Sequence, residues 1–176
     1  MSPDLRYPIG PFEELAEIGP EDRSRYMREL ERLPAEMRAA VAGLTDEQLD
    51  TRYRPGGWTL RQVAHHVPDS HMNSYVRMRL ALTEDEPTIR PYFEDRWAKL
   101  PDASRAPVGL SLDLLEALHG RWVFMLRGIE PEQWIRTFRH PERGTATLQA
   151  NLALYAWHGR HHVAQITSLR ARQGWR

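Results

Sequence analysis

Apolar residues in this chain recur at spacings of three and four in four separate stretches, and almost nowhere do they alternate at a spacing of two. That rhythm matches the 3.6-residue turn of an α-helix with one buried stripe, so the chain must pack helices against helices. The first stretch starts near Glu21 and carries Tyr26, Leu30, Leu33, Met37, Ala40, Val41 and Leu44, with Gly43 as its stop. In the second, Thr59 reads as the N-cap, and Leu60, Val63, Ala64, Val67, Tyr75, Met78 and Leu82 form the stripe. Pro68 lies inside it and predicts a kink. The third has Ser111 as its cap and Leu112, Leu115, Leu118, Trp122, Met125 and Leu126 as its stripe, stopped by Gly128. The fourth runs from about Thr147 to Gln173, where Gly174 ends it. The predicted fold class is all-α: a four-helix bundle with a long crossover, in a single domain over residues 1–176.

The intervening segments are shorter on pattern. Residues 1–20 hold Pro3, Pro8, Pro11 and Pro20 with Gly10 and Gly19, and read as an extended arm laid over the domain. Thr45 followed by Gln48 is a capping-box signature for one short helical turn, and Pro55-Gly56-Gly57 turns the chain. Residues 83–110 read as a long connection with one helical turn around Phe93 to Leu100. A loop of that length is often functional, and this one could cover a site. Pro131 to Trp134 suggests another turn of helix, and Phe138 to Thr147 a loop or small hairpin.

Composition removes several chemistries. There are no cysteines, which excludes disulfides, zinc–thiolate sites and a cysteine nucleophile. Lys+Arg and Asp+Glu each total 24, so the formal net charge is +0. The arginines are scattered, with no basic block for nucleic acid or anionic lipid. Apolar runs are too short to span a membrane, and MSPDLRYPIG lacks a signal-peptide pattern. The expectation is a soluble cytoplasmic protein.

The eight histidines are concentrated where the periodicity can sort them. His158, His161 and His162 lie on the fourth helix, whose apolar stripe centres on Leu148, Leu152, Tyr155 and Ile166. At about 100° per residue, His158 and His162 fall on the buried side and one turn apart, whereas His161 points out toward solvent. Asn151, Tyr155, His158, His162 and Gln165 follow one another at steps of four and three, a polar seam facing a neighbouring helix. Polar groups along an inward seam are costly unless each is hydrogen-bonded or coordinates something. A divalent cation held by two imidazoles, with a third ligand from another helix, satisfies that need. The third ligand comes from His65 or His66 on the second helix, and the periodicity leaves that choice open. His71 reads as a satisfied buried histidine, and His119 and His140 as structural or surface residues. Trp58, Trp122 and Trp157 read as core or pocket wall.

Five stretches together resemble a known family: YPIG (residues 7–10), LTDEQLDTRYRPGGWTLRQVAHHVPDSHMNSY (44–75), IRPY (89–92), LHGRW (118–122) and YAWHGRHHVAQI (155–166). They are similar to the DinB/YfiT-like superfamily, and within it to the YfiT-type branch of metal-dependent hydrolases and bacillithiol S-transferases. The resemblance implies a four-helix bundle, often homodimeric, with one divalent metal per subunit held by three histidines. It implies His66 as the ligand from the HH pair, and His158 and His162 from the WHxxxH element. Pro68 departs from the family pattern.

Three neutral ligands would leave the cation its full charge and an open position. The resemblance then implies a transferase that activates a metal-bound thiolate, with bacillithiol as thiol co-substrate and a small electrophile as acceptor. The alternative is a hydrolase using metal-bound water. A third reading is a non-catalytic, metal-stabilised stress-response bundle, whose coordination sphere would be closed by a fourth protein ligand. Zinc or nickel suits the donor set best, with manganese and cobalt next. Asn73, Arg121 and Tyr155 are the candidate catalytic or substrate-binding residues, Arg121 because a guanidinium suits a carboxylate such as bacillithiol carries. Asp69 is a candidate to orient a ligand imidazole.

Overall fold

The structure, a computed structural model, describes residues 4–175. Its long helices are α1 (Pro20–Val41), α3 (Leu60–Thr83), α6 (Val108–Arg127) and α7 (Leu148–Gln173). The chain therefore folds as the expected four-helix bundle. Shorter elements connect them: α2 (Asp46–Leu49), α4 (Glu94–Trp97), α5 (Pro101–Arg105), a 3-10 turn (Pro131–Ile135), and the antiparallel strands β1 (Thr137–His140) and β2 (Gly144–Thr147).

Local signals account for most boundaries. Thr45 Oγ1 accepts from the Gln48 amide while Gln48 Oε1 accepts from the Thr45 amide, the capping box that opens α2. Thr59 and Gln62 repeat the device at α3. Gly174 closes α7 at φ +66°, in the left-handed region where a Cβ would be strained. The third helix departs from expectation. It begins at Val108 with Pro107 as its cap, so Ser111 lies inside the first turn. Proline at the entry needs no amide partner and starts the helix early, which frees the Ser111 hydroxyl to bond His65 Nδ1 at 2.7 Å. The crossover also holds two short helices where one turn was expected. Pro68 sits within a continuous α3, as Pro34 does within α1.

The core is split along the bundle axis. One apolar cluster is built on Leu30, Met78, Trp122, Leu126 and Leu152. The other is built on Leu33, Met37, Val63, Leu115 and Ile166. Between them α3 contributes His66, Ser70, His71 and Ser74, α6 contributes His119, and α7 contributes His158, His162 and Gln165, all inside the bundle. This polar layer holds the site.

A candidate metal centre

His66, His158 and His162 converge in that layer. His158 Nε2 lies 3.3 Å from His66 Nε2 and 3.2 Å from His162 Nε2. One ring nitrogen from each of the three residues lies within 4.8 Å of the others. The pair on α7 meets because residues four apart share a helix face, and α3 packs across that face with His66. His65 turns the other way. Its Nδ1 meets Ser111 Oγ and its Nε2 the Ala106 carbonyl at 3.1 Å, so it fastens the crossover instead.

Hydrogen bonds settle where the protons sit. The Leu30 carbonyl can only accept, so His119 Nδ1, 2.6 Å away, donates to it. A neutral His119 then accepts at Nε2 from His71 Nδ1–H at 2.9 Å, and His71 accepts at Nε2 from His158 Nδ1–H at 3.1 Å. His158 is left with a bare Nε2 lone pair. On the other ligand, His162 Nδ1 lies 2.9 Å from Gln165 Oε1, an acceptor, so its Nε2 is also bare. Burial keeps these rings neutral: it drives His71, His158 and His162 well below the usual imidazole range, His119 to about 4 and His66 to about 3.

Two unprotonated nitrogens facing each other at 3.2 Å repel unless a cation lies between them. A tetrahedral ion bound at about 2.0–2.1 Å would set its nitrogen ligands roughly 3.3 Å apart. The donor set therefore fits a divalent cation. Among the described residues, no fourth His, Asp or Glu joins the cluster, so the closed sphere of the non-catalytic reading finds no fourth ligand of those types.

The three ligands open onto a cleft of about 470 Å³. Tyr155 lines it, with its hydroxyl 3.4 Å from Ser70 Oγ and its ring beside His158. Trp58 packs on His66 at 4.6 Å between ring centroids and walls the cleft, whereas Trp122 is core. Asn73 and Arg121 do not reach the cleft. Asn73 Nδ2 donates to the Asp69 carbonyl one turn back, and Arg121 lies in a separate groove with Tyr75, Arg79 and Phe124. Asp69 orients none of the three rings; His71 and Gln165 do that for His158 and His162. Burial raises the Asp69 carboxyl to about 6, aided by Asp102.

His161 is the clearest correction. It is 6% exposed, not solvent-facing, because the N-terminal arm covers it. Its ring stacks on Trp157 at 4.6 Å and meets Tyr7 at 5.8 Å, while Gln165 Nε2 donates both to His161 Nε2 and to the Arg6 carbonyl. Helical phase alone does not show a segment that folds back from more than a hundred residues away. The hairpin tip also reaches the cleft through His140, Glu142 and Arg143. Burial, then Arg77 and Arg143, lower the His140 imidazole pKa.

A family model describing the DinB superfamily matches residues 29–166. The chain belongs to the DinB superfamily. Proteins named "Putative metal-dependent hydrolase" from Bacillus mycoides and Bacillus cereus are 55% and 56% identical to it over 172 residues, covering 98% of this chain and 99% of each relative. YfiT from Bacillus subtilis superimposes with a TM-score of 0.96 at 48% identity, covering 98% of this chain and 99% of that one. Its structure is described as "a probable metal-dependent hydrolase with an unusual four-helix bundle topology". The four-helix bundle protein TT2238 shares the fold alone, with a TM-score of 0.56 at 22% identity. Taken with the three-histidine cluster, these relatives support a metal-dependent enzyme that uses a divalent cation. No described helix is long and apolar enough to cross a membrane.

Proposed function

We propose that this DinB-superfamily chain is a thiol S-transferase of the bacillithiol type, acting as a homodimer, with His66, His158 and His162 holding the metal. The observation that carries the reading is the convergence of three neutral imidazoles, with bare Nε2 atoms on His158 and His162, beside an open cleft. A divalent cation bound there supplies Lewis acidity toward a thiol or a water in its open position. The protein's part is to hold the ligands in the deprotonated tautomer and to shape the space beside them. Trp58 walls that space, while the Tyr155 and Ser70 hydroxyls offer polar contacts to a substrate. Burial raises the Tyr92 phenol, so it stays protonated as a further donor.

A divalent cation in this site would acidify a thiol more completely than a water, and on that chemistry thiol transfer is the first reading. With no cysteine in the chain, the sulfur comes from a small co-substrate. Hydrolysis stands as the second reading because the relatives are named for it.

The test is to load the purified protein with zinc or nickel and add bacillithiol with monochlorobimane. The sulfur–carbon bond forms as the carbon–chlorine bond breaks, releasing chloride and a proton, and fluorescence reports the product. Metal-dependent conjugation at least tenfold above the metal-free protein is expected. Absence of conjugation with every low-molecular-weight thiol, alongside turnover of an ester or amide, would overturn transfer in favour of hydrolysis.

A further inference from the structure

Three buried N–H donors among the described residues lack any acceptor, and all three belong to residues that line the cleft beside the metal centre: Arg77 Nε, Trp157 Nε1 and His161 Nδ1. The His161 proton follows from the chain of bonds at Gln165, whose amide nitrogen donates to His161 Nε2 and so leaves the hydrogen on Nδ1. A buried donor without a partner costs on the order of 1–3 kcal/mol, so three in one cleft imply a ligand that brings acceptors. The charges agree. Arg6, Arg54, Arg77 and Arg143 line the cleft against only Glu94 and Glu142. Arg6 is paired with Asp4 and Arg54 is bonded to the Tyr53 hydroxyl and the Pro55 carbonyl. Arg77 and Arg143 have no hydrogen-bonded or ion-paired partner among the described residues.

Their placement gives the ligand a length. Arg77 follows His66 by eleven residues on α3, which brings it back to within about 20° of the same face and about 16 Å along the axis. Helical side chains lean toward the N-terminus, which from Arg77 is the direction of the histidines. Trp157 and His161 each neighbour a metal ligand in sequence and flank the near end. We infer that the cleft binds an elongated anionic substrate, its reacting end at the three histidines and a carboxylate at its far end held by Arg77 with help from Arg143. This inference rests on the metal centre and assigns the charge-recognising role that Arg121 cannot fill from its separate groove.

Hydroxamates test it independently of whether the enzyme transfers thiols or hydrolyses bonds, because they chelate the metal in either case. Succinic, adipic and suberic monohydroxamates are titrated against the zinc-loaded protein beside alkyl hydroxamates of matching length, with tryptophan fluorescence as the readout. An advantage for the carboxylate on the order of tenfold is expected at one of the lengths, in line with a charge-assisted hydrogen bond. Arg77→Gln should erase that advantage while leaving the alkyl hydroxamate affinity unchanged, and Arg77→Lys should restore part of it. Equal affinities of the paired ligands in the wild-type protein, or an advantage that survives Arg77→Gln, would overturn the inference and leave the metal centre standing. Failure of every hydroxamate to bind a protein that also retains no zinc would defeat both.

Discussion

A backbone carbonyl on α1 governs the nitrogen that His158 offers. Leu30 fixes His119, His119 fixes His71, and His71 fixes His158, each by the atom it has left to donate. His119→Leu removes the middle of that chain and leaves His71 Nδ1–H without an acceptor. Outer partners of metal-bound histidines typically contribute 10–100-fold to affinity, so a zinc affinity lower by about that factor is expected in competition with a chelator, with far-ultraviolet dichroism preserved. Unchanged affinity would mean that His158 does not need its orienter. At this scale the sequence was partly legible. Spacing alone places His158, His162 and Gln165 on one seam. It leaves His65 and His66 open, because what separates them is Ser111 and Ala106 on a distant segment. The roles of His71 and His119 were equally hidden, since a satisfied buried histidine and one that positions a ligand have the same periodicity.

Among the elements, α7 packs against Leu33 of α1 at Gly159, next to the ligand His158. A Cβ there would overlap the terminal methyls of buried Leu33. Gly159→Ala gains helix propensity worth about 1 kcal/mol but must push the two helices apart. Overpacking of a filled core costs typically 1–3 kcal/mol, so a net loss of up to about 2 kcal/mol in urea unfolding is expected. A stabilised variant would show that Leu33 gives way freely. The long helices were readable because stripe, cap and stop agree, as with Thr59 before α3 and Gly174 after α7. The start of α6 was not: Ser111 looked like a cap, yet Pro107 nucleates the helix a turn earlier. The arm was legible as extended, but that Tyr7 lies against His161 depends on a tertiary contact without a local signal.

Taken whole, the molecule places a layer of neutral histidines between two apolar clusters, and this couples its stability to pH. Burial holds His71, His119, His158 and His162 below their unfolded values, so as pH falls below about 6.5 the unfolded chain takes up protons first. The stabilisation is full above that pH and is lost as the medium acidifies toward the folded values. For His119 the loss reaches about 2 kcal/mol by pH 5. Urea midpoints of the metal-free protein are therefore expected to drop steeply between pH 7.5 and pH 5. A flat profile would mean that the layer is already charged or open to water.

The most direct measurement of the centre itself is a titration of the metal-free protein with Co²⁺, followed by its visible absorption. Saturation at one equivalent per chain is predicted for the wild type, with the band abolished in His158→Ala and His162→Ala and shifted when a thiol is added. Absorption that never saturates in the wild type, or that persists unchanged in either variant, would contradict a cation shared by His66, His158 and His162.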